Sequence, residues 1–316
     1  MAETGRVPGL DLDNVGRASW WQRGLFASQS AYVSLALVAV VIGMSLASQN
    51  FLTAGNISNV AQNFSFIAIA TLGITLVIIT GGIDLSVGSV MCFAAIISAM
   101  TMTALSDGSI APWLITTVDG KPAAAVPGLI VALSILAGLG VSLVIGLANG
   151  FAISRLGLSP FVTTLGMLSI VRGLCYVVTN GRGSFPSGPD ADLFYAITAG
   201  RVGPLPMSFV YLVGLAIVMA IVLHHTAWGR HVFALGGNEK AAELTGVPVG
   251  RVKIQVYVLS ALAAGLNGII VSGWLGSAPA NMANSYELNI IAAAVLKPIP
   301  SGNLSRRCAG MLRTSA

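Results

Sequence analysis

The chain has 316 residues, of which 55% are hydrophobic and only 9% carry a charged side chain. Soluble domains carry roughly 25% charged residues; this depletion excludes an ordinary soluble domain and indicates repeated passage through lipid. The net charge of +5 does not point to nucleic acid, because the basic residues are scattered at the ends of apolar segments, where a membrane protein keeps its cytoplasmic charge.

In chain order, residues 1–29 read as a polar cytoplasmic tail, with Arg6, Arg17 and Arg23 beside the interfacial anchors Trp20 and Trp21. The apolar run Ser30–Ser48 is close to the ~20 residues of a spanning helix. A secretory leader has a shorter apolar core and a small-residue cleavage site, so this run reads as a retained first span. Further windows long enough to cross are Phe64–Thr80, Val87–Leu105, Val126–Ile153, Phe161–Thr179, Leu205–Leu223 and Ile254–Leu275, whereas Leu288–Leu296 is too short. With the N-terminus inside, alternate crossings place Ser106–Ala125 and Asn180–Pro204 outside. The most charged loop, His224–Lys253, then falls inside, as the positive-inside bias requires. The organisation expected is a tail (1–29), a transmembrane domain (30–296) and a polar C-terminal tail (297–316). The fold class expected is all-α, a polytopic bundle with broken or half helices.

The most informative stretch is Thr80–Ser89, where Asp84 is the only charged residue between Arg23 and Asp107. An ionised carboxylate at the bilayer centre costs about 2.5–3.5 kcal/mol on insertion scales. It needs a partner, a watery niche or a position at the boundary. Gly81, Gly82 and Gly88 weaken a continuous helix and let the backbone bend. The segments on either side are expected to meet at a tight turn, and they fold either as full spans or as half-helices.

Within the inside loop, Gly236-Gly237-Asn238 is expected to break the chain. Glu239–Leu244 then reads as a short helix with an acid in its first turn, as the helix dipole prefers. Gly246 and Pro248 end it. It is either a solvated connector or a docking element for a soluble partner.

Three ordered motifs carry a family resemblance. Gly81-Gly82-Ile83-Asp84-Leu85-Ser86-Val87-Gly88-Ser89 closely resembles the hallmark of the permease subunits of ribose-type ABC sugar importers. Asn149-Gly150 through Pro160–Gly166, and Ala234–Val247, fit the same family, and the resemblance runs from about Phe51 to Leu296. It implies a subunit of the bacterial inner membrane that translocates a monosaccharide such as ribose, xylose, arabinose or a galactoside. It also implies the partners: a cytoplasmic ATP-binding subunit, a periplasmic sugar-binding protein and a second permease chain. Around these lies membrane lipid, and no nucleic acid is involved. In such a chain Gly81, Gly82, Asp84, Ser86 and Gly88 form a structural or gating motif. Gly236, Asn238, Glu239, Ala241, Ala242 and Gly246 form the loop that couples to the ATPase. Ala241, Ala242 and Gly246 are small for close contact, and Asn238 caps or orients the helix. The segment after Leu296 departs from the family, which continues with a Gly-Gly-Thr-Ser-Leu-type element and further spans. Lys297–Arg307 is polar and basic instead, and reads as a truncated or frame-shifted end.

The remaining polar residues at membrane depth each admit two readings. Arg172 pairs with an acid or carbonyls along a wet path, or snorkels to an interface. Asn149 and Asn267 either join helices or line a polyol pathway. Gln62 and Asn63 either cap the second span or belong to the pathway, for which Phe161 and Thr163 are further candidates. His224, His225 and His231 lack neighbouring acids or thiols, so no metal site is expected. Cys92, Cys175 and Cys308 read as small filler. No phosphate-binding loop, nucleophile elbow or His-Glu-x-x-His pair occurs, so neither a catalytic residue nor a cofactor is expected. The alternative class is a stand-alone carrier driven by an ion gradient, which shares broken helices.

Overall fold

The computed structural model describes residues 29–118 and 121–295. The tail bearing Trp20 and Trp21, Asp119, Cys308 and the atypical C-terminal segment lie outside the described residues. The chain divides into two compact units, Met1–Ile57 and Ser58–Ala316.

The first unit contains helix α1 (Gln29–Ala47) and the first residues of α2 (Ala54–Ile79). Thr53 starts α2: its hydroxyl accepts from the Asn56 amide at 3.4 Å, satisfying one of the orphan donors of a helix start. The expected start at Phe64 was ten residues too late, because polar residues such as Asn56, Asn59 and Gln62 interrupt the apolar pattern without interrupting the helix.

The second unit carries the remaining helices: α3 (Val87–Ser106), α4 (Leu129–Arg155), α5 (Pro160–Thr179), α6 (Ala191–Ala199), α7 (Met207–His225), α8 (Ala227–Gly237), α9 (Glu239–Leu244), α10 (Val249–Leu275) and α11 (Tyr286–Val295). Among the described residues, α2, α3, α4, α5, α7 and α10 are long and apolar enough to cross a membrane. Neither α2 nor α3 is a half-helix; they have 26 and 20 residues. Two outer connections contain structure the residue pattern did not announce. Between α3 and α4 lies a hairpin, β1 (Ile115–Val118) with β2 (Lys121–Ala124). Between α5 and α7 lie α6 and a second, two-residue hairpin, Arg201–Val202 with Leu205–Pro206.

The core is α3, α4 and α10 packed together. Within it, 67% of the most apolar α3 window is buried, against 6% for α7. In lipid, apolar area alone gives helices little reason to associate, so small residues must let backbones approach. They do so here. A Cβ on Gly146 or Gly150 of α4 would sit 2.8 Å from the Cα of Val258 or Ile254 on α10. A Cβ on Gly268 of α10 would strike the backbone of Met91 on α3. Larger side chains fill the flanks of this contact, among them Phe66, Ile69 and Ile74 of α2, Met91 and Ile96 of α3, and Ile270 of α10.

Candidate functional site

The chain reverses direction between α2 and α3. Gly81 takes a left-handed backbone (φ +77°), and the amides of Gly81 and Gly82 return to the carbonyls of Ile78 and Val77. Asp84 follows, 1% exposed. One carboxylate oxygen accepts from the Ser86 amide (3.0 Å) and the Ser86 hydroxyl (2.6 Å). The other accepts from the Ser260 hydroxyl at 2.9 Å. The Asn149 amide donates to the Ser86 hydroxyl at 3.0 Å. The carbonyl of Ile83 lies 3.4 Å from both the Tyr257 and Thr164 hydroxyls. Three helices (α4, α5 and α10) thus contribute polar side chains to the turn that leads into α3. Ser260 lies eleven residues inside α10, or about 16 Å along its axis at 1.5 Å per residue, so the carboxylate is at membrane depth and fully enclosed. Two of the three donors to Asp84 are hydroxyls and one is a backbone amide. Ser260 and Tyr257 were missed: a serine or tyrosine in an apolar run carries no signal of its own.

A second irregular segment faces this turn. After α10 the chain runs through a series of turns from Gly276 to Ser285. Its upper end pairs with the α5–α6 loop through Ser184 and Ala278 in both directions (3.1 and 2.7 Å). Lower down, the carbonyls of Pro279 and Ala280 lie beside the Cys92 thiol on α3. At the bottom, Arg172 of α5 donates to the carbonyls of Met282 (2.7 Å) and Ala283 (3.5 Å). Ala283 and Ser285 have left-handed backbones (φ 55° and 64°), and α11 begins at Tyr286. Glu287 lies against Gly88, one oxygen buried without a hydrogen-bond partner among the described residues. Irregular backbone at this depth is tolerated only where protein or a wet cavity surrounds it; here Arg172 and α3 surround it. Arg172→Gln is expected to free the Met282 and Ala283 carbonyls and loosen the segment. Proteolysis of the purified variant should then cut within 276–285 at least several-fold faster than in the native chain. Equal rates would show that the arginine does not hold the segment.

The other candidates separate clearly. Asn267 donates to the Phe66 carbonyl at 2.6 Å and is fully buried, so it joins α10 to α2; Asn149 joins α4 to the turn. Both leave an amide oxygen without a partner. Gln62 and Asn63 lie inside α2, so neither caps it. Gln62 is buried, and Asn63 bonds its own helix at the Asn59 carbonyl. Phe161 is exposed on α5, and the Thr163 hydroxyl is buried without a partner. No group of three metal-ligating side chains occurs among the described residues. Cys92 and Cys175 are buried free thiols.

On the charged side, α8 runs through Gly236 and Gly237 without breaking, which corrects the expectation of a glycine break. Gly236 is needed for close approach: a Cβ there would strike the carbonyl of Ile79 at the end of α2. The break falls at Asn238, whose side chain accepts from the Ala241 amide at 3.1 Å and caps α9. Gly246 (φ +86°) follows the helix end. Glu239 pairs with Lys253 at 2.7 Å across an exposed edge. Ala242 is 4% exposed, so it is small in order to pack within this chain and is not a contact left open for a partner. Leu244, at 89% exposure, is the apolar side chain α9 presents outward, and it was missed because a lone leucine ends many helices.

A bundle of six helices long and apolar enough to cross a membrane, with a buried polar turn between two of them, is the architecture of a polytopic membrane protein. Over residues 56–303 it matches the family of the branched-chain amino acid transport system permease component. The chain belongs to that family. It is 36% identical over 284 residues to the ribose import permease protein RbsC of Escherichia coli K12, covering 89% of this chain and 80% of that protein. It is 32% identical over 295 residues to the probable ABC transporter permease protein y4mJ of Sinorhizobium fredii, covering 93% and 79%. It is also 32% identical over 272 residues to the galactose/methyl galactoside import permease protein MglC of Escherichia coli K12, covering 84% and 76%. No solved structure matches. The chain is therefore a multi-pass permease subunit of an ABC importer in the inner membrane. Such a subunit works with an ATP-binding and a substrate-binding partner. These relatives lend nothing to the stand-alone carrier.

Proposed function

We propose that the chain carries a monosaccharide across the bacterial inner membrane as one of a pair of identical permease chains. ATP is hydrolysed on a separate cytoplasmic subunit, and a periplasmic sugar-binding protein delivers the substrate. The family description names amino acids; relatives matched over most of this chain include ribose and galactoside import permeases, and that observation carries the sugar reading. The chemistry agrees with it. A neutral polyol needs hydroxyl partners and small residues, and the one arginine at depth is committed to backbone carbonyls.

The uncovered faces suggest what surrounds the chain. α5 combines Phe161, Thr163, Ser169 and Gly173 with little burial, and is assigned to the pathway and the second copy. The exposed residues of α7, including Val213, Ile217 and Ile221, are aliphatic and are assigned to lipid. The turn around Asp84 is the fixed point about which the helices rock, with no direct contact to sugar. The ATPase subunit docks on α9.

The test is uptake of radiolabelled ribose, xylose, arabinose and galactose into vesicles holding this chain. Uptake should require the ATPase subunit, the binding protein and ATP; uptake driven by an ion gradient with this chain alone would overturn the reading. In the same preparation, Leu244→Asp should reduce co-purification of the ATPase subunit. Burying a leucine is worth about 1.5–3 kcal/mol, so a loss of about tenfold or more is expected, with membrane insertion intact. Undiminished co-purification would refute docking through α9.

A further inference from the structure

We propose that the outer end of α3 and the loop after α5 form a receiving site for a neutral monosaccharide. A cleft of about 400 Å³ opens there, between Met100, Thr103 and Asp107 on one wall and Ser184, Phe185 and Ser187 on the other. Sites for small ligands have volumes of about 300–1,000 Å³ and combine apolar walls with a few placed polar groups.

The lining has the chemistry of a sugar. A sugar ring has an apolar C–H face and a rim of hydroxyls. Phe185 is 62% exposed, so its ring contributes little to the core and is free to take that face. The hydroxyls need an acceptor and partners that both donate and accept. Asp107 is the acceptor: one of its oxygens takes the Ser109 amide at 2.8 Å and the other has no partner among the described residues. The Ser109 side chain first, and its backbone amide second, hold the carboxyl below the usual carboxylate range. The Thr103 hydroxyl lies 2.9 Å from the Phe185 carbonyl and 3.0 Å from the Ser187 hydroxyl, which fixes the second wall against the first.

Asp107 is also in an unexpected place. It caps the C-terminus of α3, the negative end of the helix dipole, where an anion is disfavoured. One oxygen shapes the turn after the helix through the Ser109 amide, and the second is left to accept a hydroxyl.

The lining also discriminates between ligands. An amino acid presents a carboxylate that needs a cation, and among the described residues the cleft is lined by no lysine or arginine. The site therefore deepens the sugar reading, on which it rests, against the amino acids of the family description. The cleft is joined to the segment after α10 through Ser184, whose backbone is bonded to Ala278.

The test is protection of a thiol placed at the rim. Ala104→Cys, in the lining of the cleft, is introduced into the full chain with Cys308→Ser; Cys92 and Cys175 are buried and stay. A membrane-impermeant thiol reagent is applied from outside, with and without D-ribose, D-xylose, L-arabinose or D-galactose, or with L-leucine. At least one sugar, supplied at a few times its dissociation constant, should slow labelling about threefold or more by mass action. Leucine should not. Phe185→Ala and Asp107→Asn should each abolish the protection without changing the rate in the absence of sugar. Protection by none of the sugars, protection by leucine alone, or protection that survives both substitutions overturns the site. Uptake with the ATPase subunit, scored in parallel, separates the two ideas. Sugar uptake without protection refutes the cleft alone, and absence of ATP-dependent uptake refutes the importer reading whatever the labelling shows.

Discussion

Asp84→Ala is expected to reduce the yield of monodisperse protein extracted from membranes by about tenfold or more. The substitution removes the acceptor of three hydrogen bonds and leaves the Ser86 amide and the Ser260 hydroxyl facing a void. A buried donor left without a partner costs about 1–3 kcal/mol, and about 1.4 kcal/mol is a factor of ten. The loss is concentrated where α3, α4, α5 and α10 meet, so no helix can move to relieve it without breaking another contact. Asp84→Asn keeps one acceptor oxygen for Ser86 and offers Ser260 a donor, to which that hydroxyl can turn as acceptor. It should restore most of the yield. Gel filtration of the two variants against the native chain settles the matter. A fully folded Asp84→Ala protein would show that the turn is held by packing alone.

The second large effect is expected at Gly150→Leu. A side chain there must enter the space occupied by the Ile254 backbone, since even a Cβ would be 2.8 Å from the Ile254 Cα and 3.1 Å from its carbonyl oxygen. Backbone does not yield as a flexible side chain does. α4 and α10 must separate, which also withdraws Asn149 from Ser86. Overpacking a core costs about 1–3 kcal/mol and sometimes more, and the lost amide bond adds to it. The same substitution at Gly140, on the same helix, meets nothing within 4 Å and should leave thermal stability in detergent nearly unchanged. A similar midpoint for both variants would mean that the α4–α10 contact is not the core of the bundle.

Much of this architecture is legible in the residues because lipid enforces a simple rule: a span must be long and apolar. The windows read from composition coincide with α1 to α5, α7 and α10, apart from their ends. The start of α2 was misplaced because its first turns carry amides, and amides weaken the apolar signal without weakening the helix. The hairpins and α6 in the outer connections were not legible, since short elements there are set by local turns and by contacts with the ends of distant helices. The turn at Asp84 could be located from one isolated carboxylate among glycines. Its partners could not, because Ser260 and Tyr257 become meaningful only when α10 is laid beside α3. Within α9, the cap at Asn238 was readable from its position before an acidic first turn. The burial of Ala242 was not, as an alanine fits a packed face and an open one equally well.

The link between Asp84 and Ser260 bears on how the protein is made. The two residues are 176 positions apart in the chain. At a synthesis rate of about 5–20 residues per second, the nascent carboxylate waits roughly 10–35 s after leaving the ribosome before its hydroxyl partner emerges. During that interval the hairpin of α2 and α3 must be sheltered by the insertion machinery or held near the headgroups, and it settles to full depth only once α10 arrives. Maturation of this protein should therefore be paced by the emergence of α10, and stalling translation before Ser260 should leave α3 exposed to membrane proteases.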